Sequence, residues 1–233
     1  MKIVSNSQNL QVLFEDNHLI IVNKRPGDIV QSDKTKDTPL VEIVKEYLKI
    51  KYDKPGNVYL GVIHRIDRPV GGVVIFARTS KALERMNKLF LEKQVQKTYW
   101  AVVEQKPPLE EGNLLNWLKK NQEQNKSRAY NKLVKGSKEC ELDYLLKGRS
   151  KNYYYLEITP KTGRHHQIRV QLSHIGCKIK GDVKYGANRT NRDGSIHLFA
   201  RKISFIHPVK KEKIIIKAKP PKDSLWDEFA TLA

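Results

Sequence analysis

The chain has 233 residues, of which 39% are hydrophobic and 30% charged, which is enough for one large hydrophobic core or two modest ones. Lysine and arginine number 44 against 25 aspartates and glutamates, a formal net charge of +19 at pH 7, and this excess favours a polyanionic partner such as nucleic acid. No apolar run reaches the roughly 18 residues of a membrane span, no secretory signal begins the chain, and two cysteines form no disulfide framework, so we expect a cytoplasmic protein without a membrane partner.

The first predicted elements are a strand pair and a helix. Residues 10–23 contain two apolar runs separated by Glu-Asp-Asn, a pattern typical of a β-hairpin. Residues 24–27 read Lys-Arg-Pro-Gly and predict a second turn. Apolar side chains at helical spacing predict a helix over residues 40–48, with Thr38 as its N-cap and Pro39 as its first residue.

A charged loop follows at residues 64–72, which read His-Arg-Ile-Asp-Arg-Pro-Val-Gly-Gly. Apolar runs lie on both sides, at residues 61–63 and 73–77. A loop between apolar segments is a common way to present a reactive side chain on a rigid sheet, and Asp67 is the carboxylate it would present. The alternative is an ordinary loop in which a solvated aspartate pairs with an arginine.

The rest of the chain continues with short strands and helices. The predicted elements, in chain order, are a helix capped by Thr79 or Ser80, a strand over 94–104, a strand pair or flexible excursion over 114–137, a hairpin over 140–159 joined through 147–150, a helix from Gly163-Arg164 to Gly176, a strand at 214–216 and a helix near Trp226. Strands outnumber helices and short turns join many neighbours, which predicts an α+β fold with a mostly antiparallel sheet.

Basic residues are concentrated in two segments. Residues 113–138 contain seven lysines and arginines against Glu123 alone, and residues 201–222 contain eight against Glu212 alone. Such clusters are typical of contacts with phosphates. The alternative is that the lysines serve solubility.

Four separated segments carry a specific pattern, at residues 12–27, 64–72, 96–103 and 162–172. In this order they resemble the motifs of the RluA-type pseudouridine synthases. The pairs Gly181-Asp182 and Tyr185-Gly186 also fit that family. A single short motif is weak evidence, but four motifs in order make a strong match over about residues 10–206.

The resemblance implies the pseudouridine synthase fold. That fold is an α+β domain with a twisted, mostly antiparallel mixed sheet flanked by helices and a central active-site cleft. We expect one catalytic domain over residues 1–233, without the N-terminal S4 RNA-binding domain of many relatives, because about ten residues precede the first motif. One departure is Val70-Gly71-Gly72, which replaces the family's usual Thr-Ser-Gly and affects the loop's hydroxyl groups rather than Asp67.

The resemblance also implies an activity, the isomerisation of specific uridines to pseudouridine in structured ribosomal or transfer RNA. The target base is flipped out of its stack, and the reaction needs neither cofactor nor metal. Asp67 would act as nucleophile or base at the sugar, in the manner of other catalytic carboxylates. Attack at C1′, attack at the base and abstraction of the C2′ proton all remain open. We expect a monomer.

By the same resemblance, the predicted catalytic residues are Asp67, Tyr99 and Arg164. Arg164 would keep the Asp67 carboxylate ionised, and the alternative is a phosphate contact near a helix N-terminus. Tyr99 would stack on the flipped uracil, and the alternative is a core tyrosine on a buried strand.

The predicted RNA-binding residues are His64, Arg65, Arg68, His166, Ile168 and Arg169. Arg65 would enter the space that the flipped nucleotide leaves, or would simply pair with a phosphate. Ile168 would pack against the base, or would be an ordinary core residue.

Two rival functions belong to other classes. The first is a non-catalytic RNA-binding module, which the joint presence of Asp67, Tyr99 and Arg164 disfavours. The second is a metal-dependent nuclease, which needs clustered carboxylates that the sequence lacks. His166 and His174 are eight residues apart, a spacing that disfavours zinc, and Cys177 is predicted to be a small buried residue.

Overall fold

The computed structural model describes residues 4–33 and 35–232, which contain eleven strands and four α-helices. In chain order these are β1 (Val12–Glu15), β2 (Leu19–Lys24), α1 (Leu40–Lys51), β3 (Gly61–Val62), β4 (Gly71–Ala77), α2 (Ser80–Leu91), β5 (Gln96–Val103), β6 (Glu111–Asn121), β7 (Lys126–Tyr130), β8 (Lys138–Arg149), β9 (Tyr154–Pro160), α3 (Gln167–His174), β10 (Leu198–Ile206), β11 (Lys213–Lys217) and α4 (Ser224–Leu232). The chain divides into two compact units, Met1–Gln96 with Ala200–Pro220 and Lys97–Phe199 with Pro221–Ala233. A single catalytic domain therefore stays a prediction.

The first unit is organised around β2 and β4, which pair antiparallel from Leu19 opposite Ala77 to Lys24 opposite Gly72. β1 pairs antiparallel with β2, and the short β3 pairs antiparallel with β4. The Asp16 carboxylate accepts hydrogen bonds of 2.8 Å from the backbone N–H groups of His18 and Leu19, which closes the turn between β1 and β2. The predicted hairpin is therefore confirmed.

The core of the first unit lies between this sheet and α1. Apolar side chains of β2 and β4 pack against the buried face of the helix, and the cluster includes Ile20, Val22, Leu40, Val44, Leu48, Val74 and Phe76. The helix begins at Leu40, with Pro39 as an N-cap that makes no side-chain hydrogen bond. The prediction of Thr38 as the cap is therefore wrong, whereas Thr79 caps α2 by accepting a hydrogen bond from the Ala82 N–H at 3.1 Å.

The second unit contains an antiparallel sheet in the order β5-β9-β8-β6-β7, so β7 is its edge strand. β6 and β7 form the strand pair that the sequence left open as one of two interpretations. The predicted junction at residues 147–150 is wrong, because Gly148 and Arg149 still pair with β9. The turn lies three residues later, at residues 150–153, where the Ser150 N–H donates to the Tyr153 carbonyl at 2.8 Å.

Each face of the second sheet is covered by a helix. On one face α3 packs against β6 and β7, in a cluster with Leu118, Ala129, Cys140, Val170 and Tyr185. On the other face Phe229 of α4 stacks on Trp100, with ring centroids 4.4 Å apart. Both faces are therefore enclosed over part of the sheet.

Helix α3 begins at Gln167 rather than at Gly163. His166 adopts the left-handed conformation, with φ at 54°, and this interrupts the helix before Gln167. The buried Gln167 side chain accepts hydrogen bonds from the Thr162 hydroxyl at 2.7 Å and from the Arg164 N–H at 3.0 Å. The motif residues before Gln167 are consequently an ordered loop, while Gly176, with φ at 83°, ends the helix region as predicted.

The strand pairs described above are antiparallel and the helices lie on the sheet faces, so the predicted α+β class is confirmed. The central active-site cleft stays a prediction. Among the described residues, no helix is both long and apolar enough to cross a bilayer.

Candidate functional site

Asp67 lies in the first unit, in the loop between β3 and β4, and its side chain is partly buried. Its carbonyl oxygen accepts a hydrogen bond of 3.0 Å from the N–H of Val70, which closes a turn at the end of the loop. Val70 itself is buried, with 2% of its surface exposed. The charged loop therefore leads into β4 through a fixed turn.

The buried ammonium group of Lys24 holds the residue that follows Asp67. Its Nζ donates hydrogen bonds to the carbonyl oxygens of Arg68 at 3.1 Å, Asp28 at 2.7 Å and Arg25 at 3.0 Å. The Arg68 carbonyl also accepts a bond of 2.7 Å from the Gly27 N–H. The sequence predicted residues 24–27 as a turn but did not predict that Lys24 anchors the Asp67 loop. The one feature that could have indicated this role is a lysine at the end of an apolar strand.

His64 fixes the start of the same loop. Its Nε2 accepts a hydrogen bond of 3.1 Å from the Ile75 N–H, so the ring carries its proton on Nδ1 when neutral. The ring stacks on Phe90 of α2 with centroids 5.1 Å apart. These contacts assign His64 a positioning role, and its contact with RNA stays a prediction.

Gly72 is required by a close approach at the start of β4. Its φ of +118° is rarely adopted by residues with side chains, and a Cβ there would lie 2.6 Å from the Ala200 backbone nitrogen. The glycine that this loop shares with the usual family pattern therefore has a steric reason. The valine and glycine before it replace hydroxyl residues without disturbing the turn at Val70.

The two arginines beside Asp67 differ in environment. Arg65 is exposed. Arg68 pairs with the Asp37 carboxylate and donates to the Thr35 hydroxyl at 3.0 Å. Because this ion pair is exposed it contributes little to stability, and a phosphate could displace it. Both RNA contacts stay predictions.

Tyr99 lies in the second unit, on β5 opposite Ile158 of β9, and it is partly buried. Side chains alternate along a strand, so Tyr99 and Trp100 lie on opposite faces of the sheet. The face of Tyr99 is the one that α3 covers further along the sheet. Lys97 lies on the same face, and burial lowers the pKa of its ammonium group. The incomplete burial of Tyr99 favours a contact residue over the alternative of a core tyrosine.

The second unit places its two motif arginines in contrasting settings. Arg164 is exposed, and its Nε donates to the Glu139 carbonyl at 3.0 Å. Arg169 is 5% exposed, and its Nε and Nη2 bind the two oxygens of Asp182 at 2.7 and 2.8 Å. The exposure of Arg164 favours the alternative of a phosphate contact, and its catalytic role stays a prediction. Arg169 is the arginine with the fixed, desolvated guanidinium.

His166 and Ile168 are both buried at the beginning of α3. The His166 Nδ1 lies 2.9 Å from the Tyr185 hydroxyl, and that hydroxyl accepts a bond of 2.9 Å from the Ser127 N–H. Ile168 is 7% exposed on a helix whose first six residues are all buried. Both residues therefore contribute to packing, and their contact with RNA stays a prediction.

The cysteines and histidines give no metal centre within residues 4–33 and 35–232, where no group of three or more potential ligands occurs. Cys177 is fully buried, as predicted, and burial raises the pKa of its thiol to about 11. Burial raises the pKa of Cys140 to a similar value. Neither thiol is suited to act as a nucleophile.

The predicted residues thus fall into two groups. The first unit contains Asp67 with His64, Arg65 and Arg68 on one anchored loop. The second unit contains Tyr99 on β5 and the group Arg164, His166, Ile168 and Arg169 at the beginning of α3.

Comparison with known proteins gives a consistent result. Residues 18–174 match the family described as RNA pseudouridylate synthase. The chain is 32% identical over 238 residues to tRNA pseudouridine synthase C of Haemophilus influenzae, covering 94% of this chain and 96% of that protein. It is 33% identical over 224 residues to ribosomal large subunit pseudouridine synthase C of Buchnera aphidicola, covering 92% of this chain and 69% of that protein.

Solved structures show the same fold. The human protein RNA Pseudouridylate Synthase Domain Containing 4 matches with a TM-score of 0.78 and 21% identity, over 94% of this chain and 92% of that one. Human RNA Pseudouridylate Synthase Domain Containing 1 matches with a TM-score of 0.75 and 20% identity, over 98% and 90% of the two chains.

Proposed function

The chain belongs to the RNA pseudouridylate synthase family, and we propose that it isomerises specific uridines to pseudouridine in structured ribosomal or transfer RNA. Membership confirms the RluA-type resemblance drawn from the four motifs. The observation that carries the proposal is Asp67, presented on a loop that Lys24 anchors through the Arg68 carbonyl at 3.1 Å. The choice between ribosomal and transfer RNA stays open, because relatives of both names match the chain.

The proposed chemistry follows from the product. The bond between uracil N1 and ribose C1′ breaks, the uracil turns, C5 bonds to C1′, and the proton leaves C5 while N1 gains one. Reactant and product are isomers, so the reaction consumes no redox equivalent and transfers no group to another molecule. One carboxylate that acts as nucleophile or base is therefore sufficient, and we assign that role to Asp67.

We assign the remaining roles to the second unit. Tyr99 would stack on the flipped uracil, because a partly buried ring offers a face to a splayed base. Arg164 was predicted to stabilise the ionised carboxylate. To Arg169, which binds both oxygens of Asp182, we assign the role of fixing α3 and so positioning the motif loop before it.

A tritium-release assay tests the proposal. RNA labelled with tritium at uracil C5 loses the label to water when C5 bonds to C1′. Total RNA from cells lacking the gene is the substrate, since its target uridines are unmodified. We expect enzyme-dependent release that excess EDTA does not prevent. Tight RNA binding without release would support the non-catalytic module, and strand cleavage that EDTA stops would support the nuclease.

Two further predictions concern the protein in the cell. We propose that it acts as a monomer and that it works in the cytoplasm, where its proposed RNA substrates are found. Light scattering of the purified protein and fractionation of cells test these statements independently of activity.

A further inference from the structure

The hairpin of β6 and β7 presents three cations on one face. Lys119 lies directly opposite Arg128, and Asn121 lies opposite Lys126. Because alternate residues of a strand share a face, these four side chains leave the hairpin from the same face, and the three cations are exposed. Like charges directly opposite each other destabilise a strand pair, so this arrangement favours an anionic partner that would neutralise them.

No carboxylate of the protein neutralises these cations within residues 4–33 and 35–232, where Lys119, Lys126 and Arg128 make no ion pair. Two of them lie instead over aromatic rings. The Arg128 guanidinium is 5.4 Å from the Tyr130 ring centroid, and the Lys126 Nζ is 5.4 Å from that of Tyr185. Cations beside aromatic faces are the combination that nucleic-acid surfaces use.

Two cavities of about 900 and 460 Å³ flank the hairpin, and Lys120 and Ser127 line both. Lys119, Lys126, Arg128 and Lys178 also line the larger cavity. Neither lining set includes an aspartate or glutamate. The basic side chains therefore line open space that no lining carboxylate faces, and a polyanion that lies there meets no repulsion from an acidic lining residue.

β7 is the edge strand of the second unit's sheet, and charged side chains on an edge protect it from pairing with another sheet. Lysine serves that protection especially well, so the cations at alternate positions of β7, Lys126 and Arg128, fit both roles. The polyanion is favoured by two other observations, the like charges of Lys119 and Arg128 directly opposite each other and the absence of carboxylates from both cavity linings.

We propose that this hairpin surface, made of Lys119, Lys126 and Arg128, binds phosphates of the substrate RNA at nucleotides other than the target uridine. The inference rests on the proposed function, because it takes the substrate RNA as the polyanion. The surface supplies affinity and orientation, while the chemistry remains with Asp67. Recognition of phosphates beyond the reacting nucleotide would make long structured RNA a better substrate than a short fragment.

The test compares two triple variants of the full chain. The hairpin variant carries Lys119→Gln, Lys126→Gln and Arg128→Gln. The control variant carries Lys49→Gln, Lys54→Gln and Lys81→Gln, three exposed lysines of the first unit, and removes the same net charge. Filter binding of total ribosomal and transfer RNA across a salt series gives the number of phosphate contacts, because each contributes about 0.7 to 0.9 to the log–log slope.

We expect the slope of the hairpin variant to fall by about 2 to 3 and its affinity at 0.1 M salt to fall at least about tenfold. Its KM for long RNA should rise while kcat stays within about twofold of the wild type. The control variant should keep the wild-type slope. Equal losses in both variants, or no loss in the hairpin variant, would overturn the proposal.

A second experiment uses the wild-type protein and so does not depend on the folding of variants. It measures how far bound RNA protects individual lysines from chemical acetylation. Bound RNA should shield Lys119 and Lys126 from an acetylating reagent and leave Lys49 reactive, and unshielded Lys119 and Lys126 would count against the surface. Binding is measured without turnover, so the outcomes are separable. If the protein binds RNA through the hairpin but releases no tritium, the RNA-binding surface is supported and the proposed catalytic function is contradicted.

Discussion

The Lys24 ammonium donates a hydrogen bond of 3.1 Å to the carbonyl of Arg68, the residue directly after Asp67. Lys24 and Arg68 are 44 positions apart in the chain, and the bond joins the end of β2 to the loop that carries the proposed catalytic carboxylate. Because Lys24 is 1% exposed, its three carbonyl contacts are made away from water, where a lost hydrogen bond is costly.

We predict that Lys24→Met lowers both stability and turnover. The change keeps the unbranched side chain up to Cε but removes the donor to three carbonyl groups, so the free energy of unfolding should fall by about 1–3 kcal/mol. The loop should then hold Asp67 less firmly, and kcat should fall more than RNA affinity. Urea denaturation and single-turnover kinetics measure the two effects. Wild-type kcat in a folded Lys24→Met protein would separate Lys24 from the reaction.

A second prediction contrasts two glycines. Gly72→Ala places a methyl group against the Ala200 backbone at a φ of +118°, and strain with overpacking should cost roughly 2–5 kcal/mol. Gly56→Ala is the matched control, since a Cβ there meets no atom within 4 Å, and it should change stability by less than about 0.5 kcal/mol. Thermal melting distinguishes them, and equal melting temperatures would contradict the steric explanation.

The local features of this site were predictable from sequence, and the long-range ones were not. The Asp67 loop could be found because its charged residues lie between apolar runs at residues 61–63 and 73–77. The α1 and β1–β2 predictions succeeded for the same reason, as their periodicity lies within a short window. The bond from Lys24 to Arg68 depends on tertiary folding, which a turn pattern does not encode.

The start of α3 shows a different limit. Gly163 and Arg164 resemble a helix start, but the buried Gln167 side chain binds the backbone and hydroxyl groups of residues 162–164 and holds them as a loop. The roles of the arginines are affected as well. Only the fold reveals that Arg169 is buried against Asp182 while Arg164 is exposed.

Substitutions of Arg164 and Arg169 should affect different kinetic constants, KM for Arg164 and kcat for Arg169. Arg164→Gln removes an exposed cation, so we expect KM to rise several-fold with kcat retained, the signature of a binding contact. Arg169→Lys keeps a positive charge but loses the bidentate geometry with Asp182, so kcat should fall. Circular dichroism confirms folding of both variants. A collapse of kcat in Arg164→Gln alone would restore the catalytic role predicted for Arg164.

The pH dependence of stability should depend partly on Asp223. A hydrogen bond from His197, at 3.2 Å, lowers the pKa of this carboxyl to about 2. A depressed carboxyl pKa stabilises the fold above the unfolded-state value of about 3.9, and this contribution is lost as the pH falls towards 2. Because the side chain is 39% exposed, solvent screening limits the effect to about 1 kcal/mol.

We therefore predict that Asp223→Asn lowers the free energy of unfolding at pH 7 by up to about 1 kcal/mol and that the difference shrinks by pH 3. Urea midpoints at the two pH values measure it, with Asp53→Asn, an exposed aspartate, as the control. A difference that stays constant or grows on acidification would contradict the assignment.

The most direct test of the proposed function is tritium release by Asp67→Asn. The change keeps the size of the side chain and removes the carboxylate, so turnover should fall about a thousandfold or more. RNA affinity should stay the same or rise slightly, because a negative charge leaves a protein of net charge +19 that binds a polyanion. Asp53→Asn, which removes an exposed carboxylate of the same unit, should keep full activity. Near-normal release by a folded Asp67→Asn protein would contradict the mechanism.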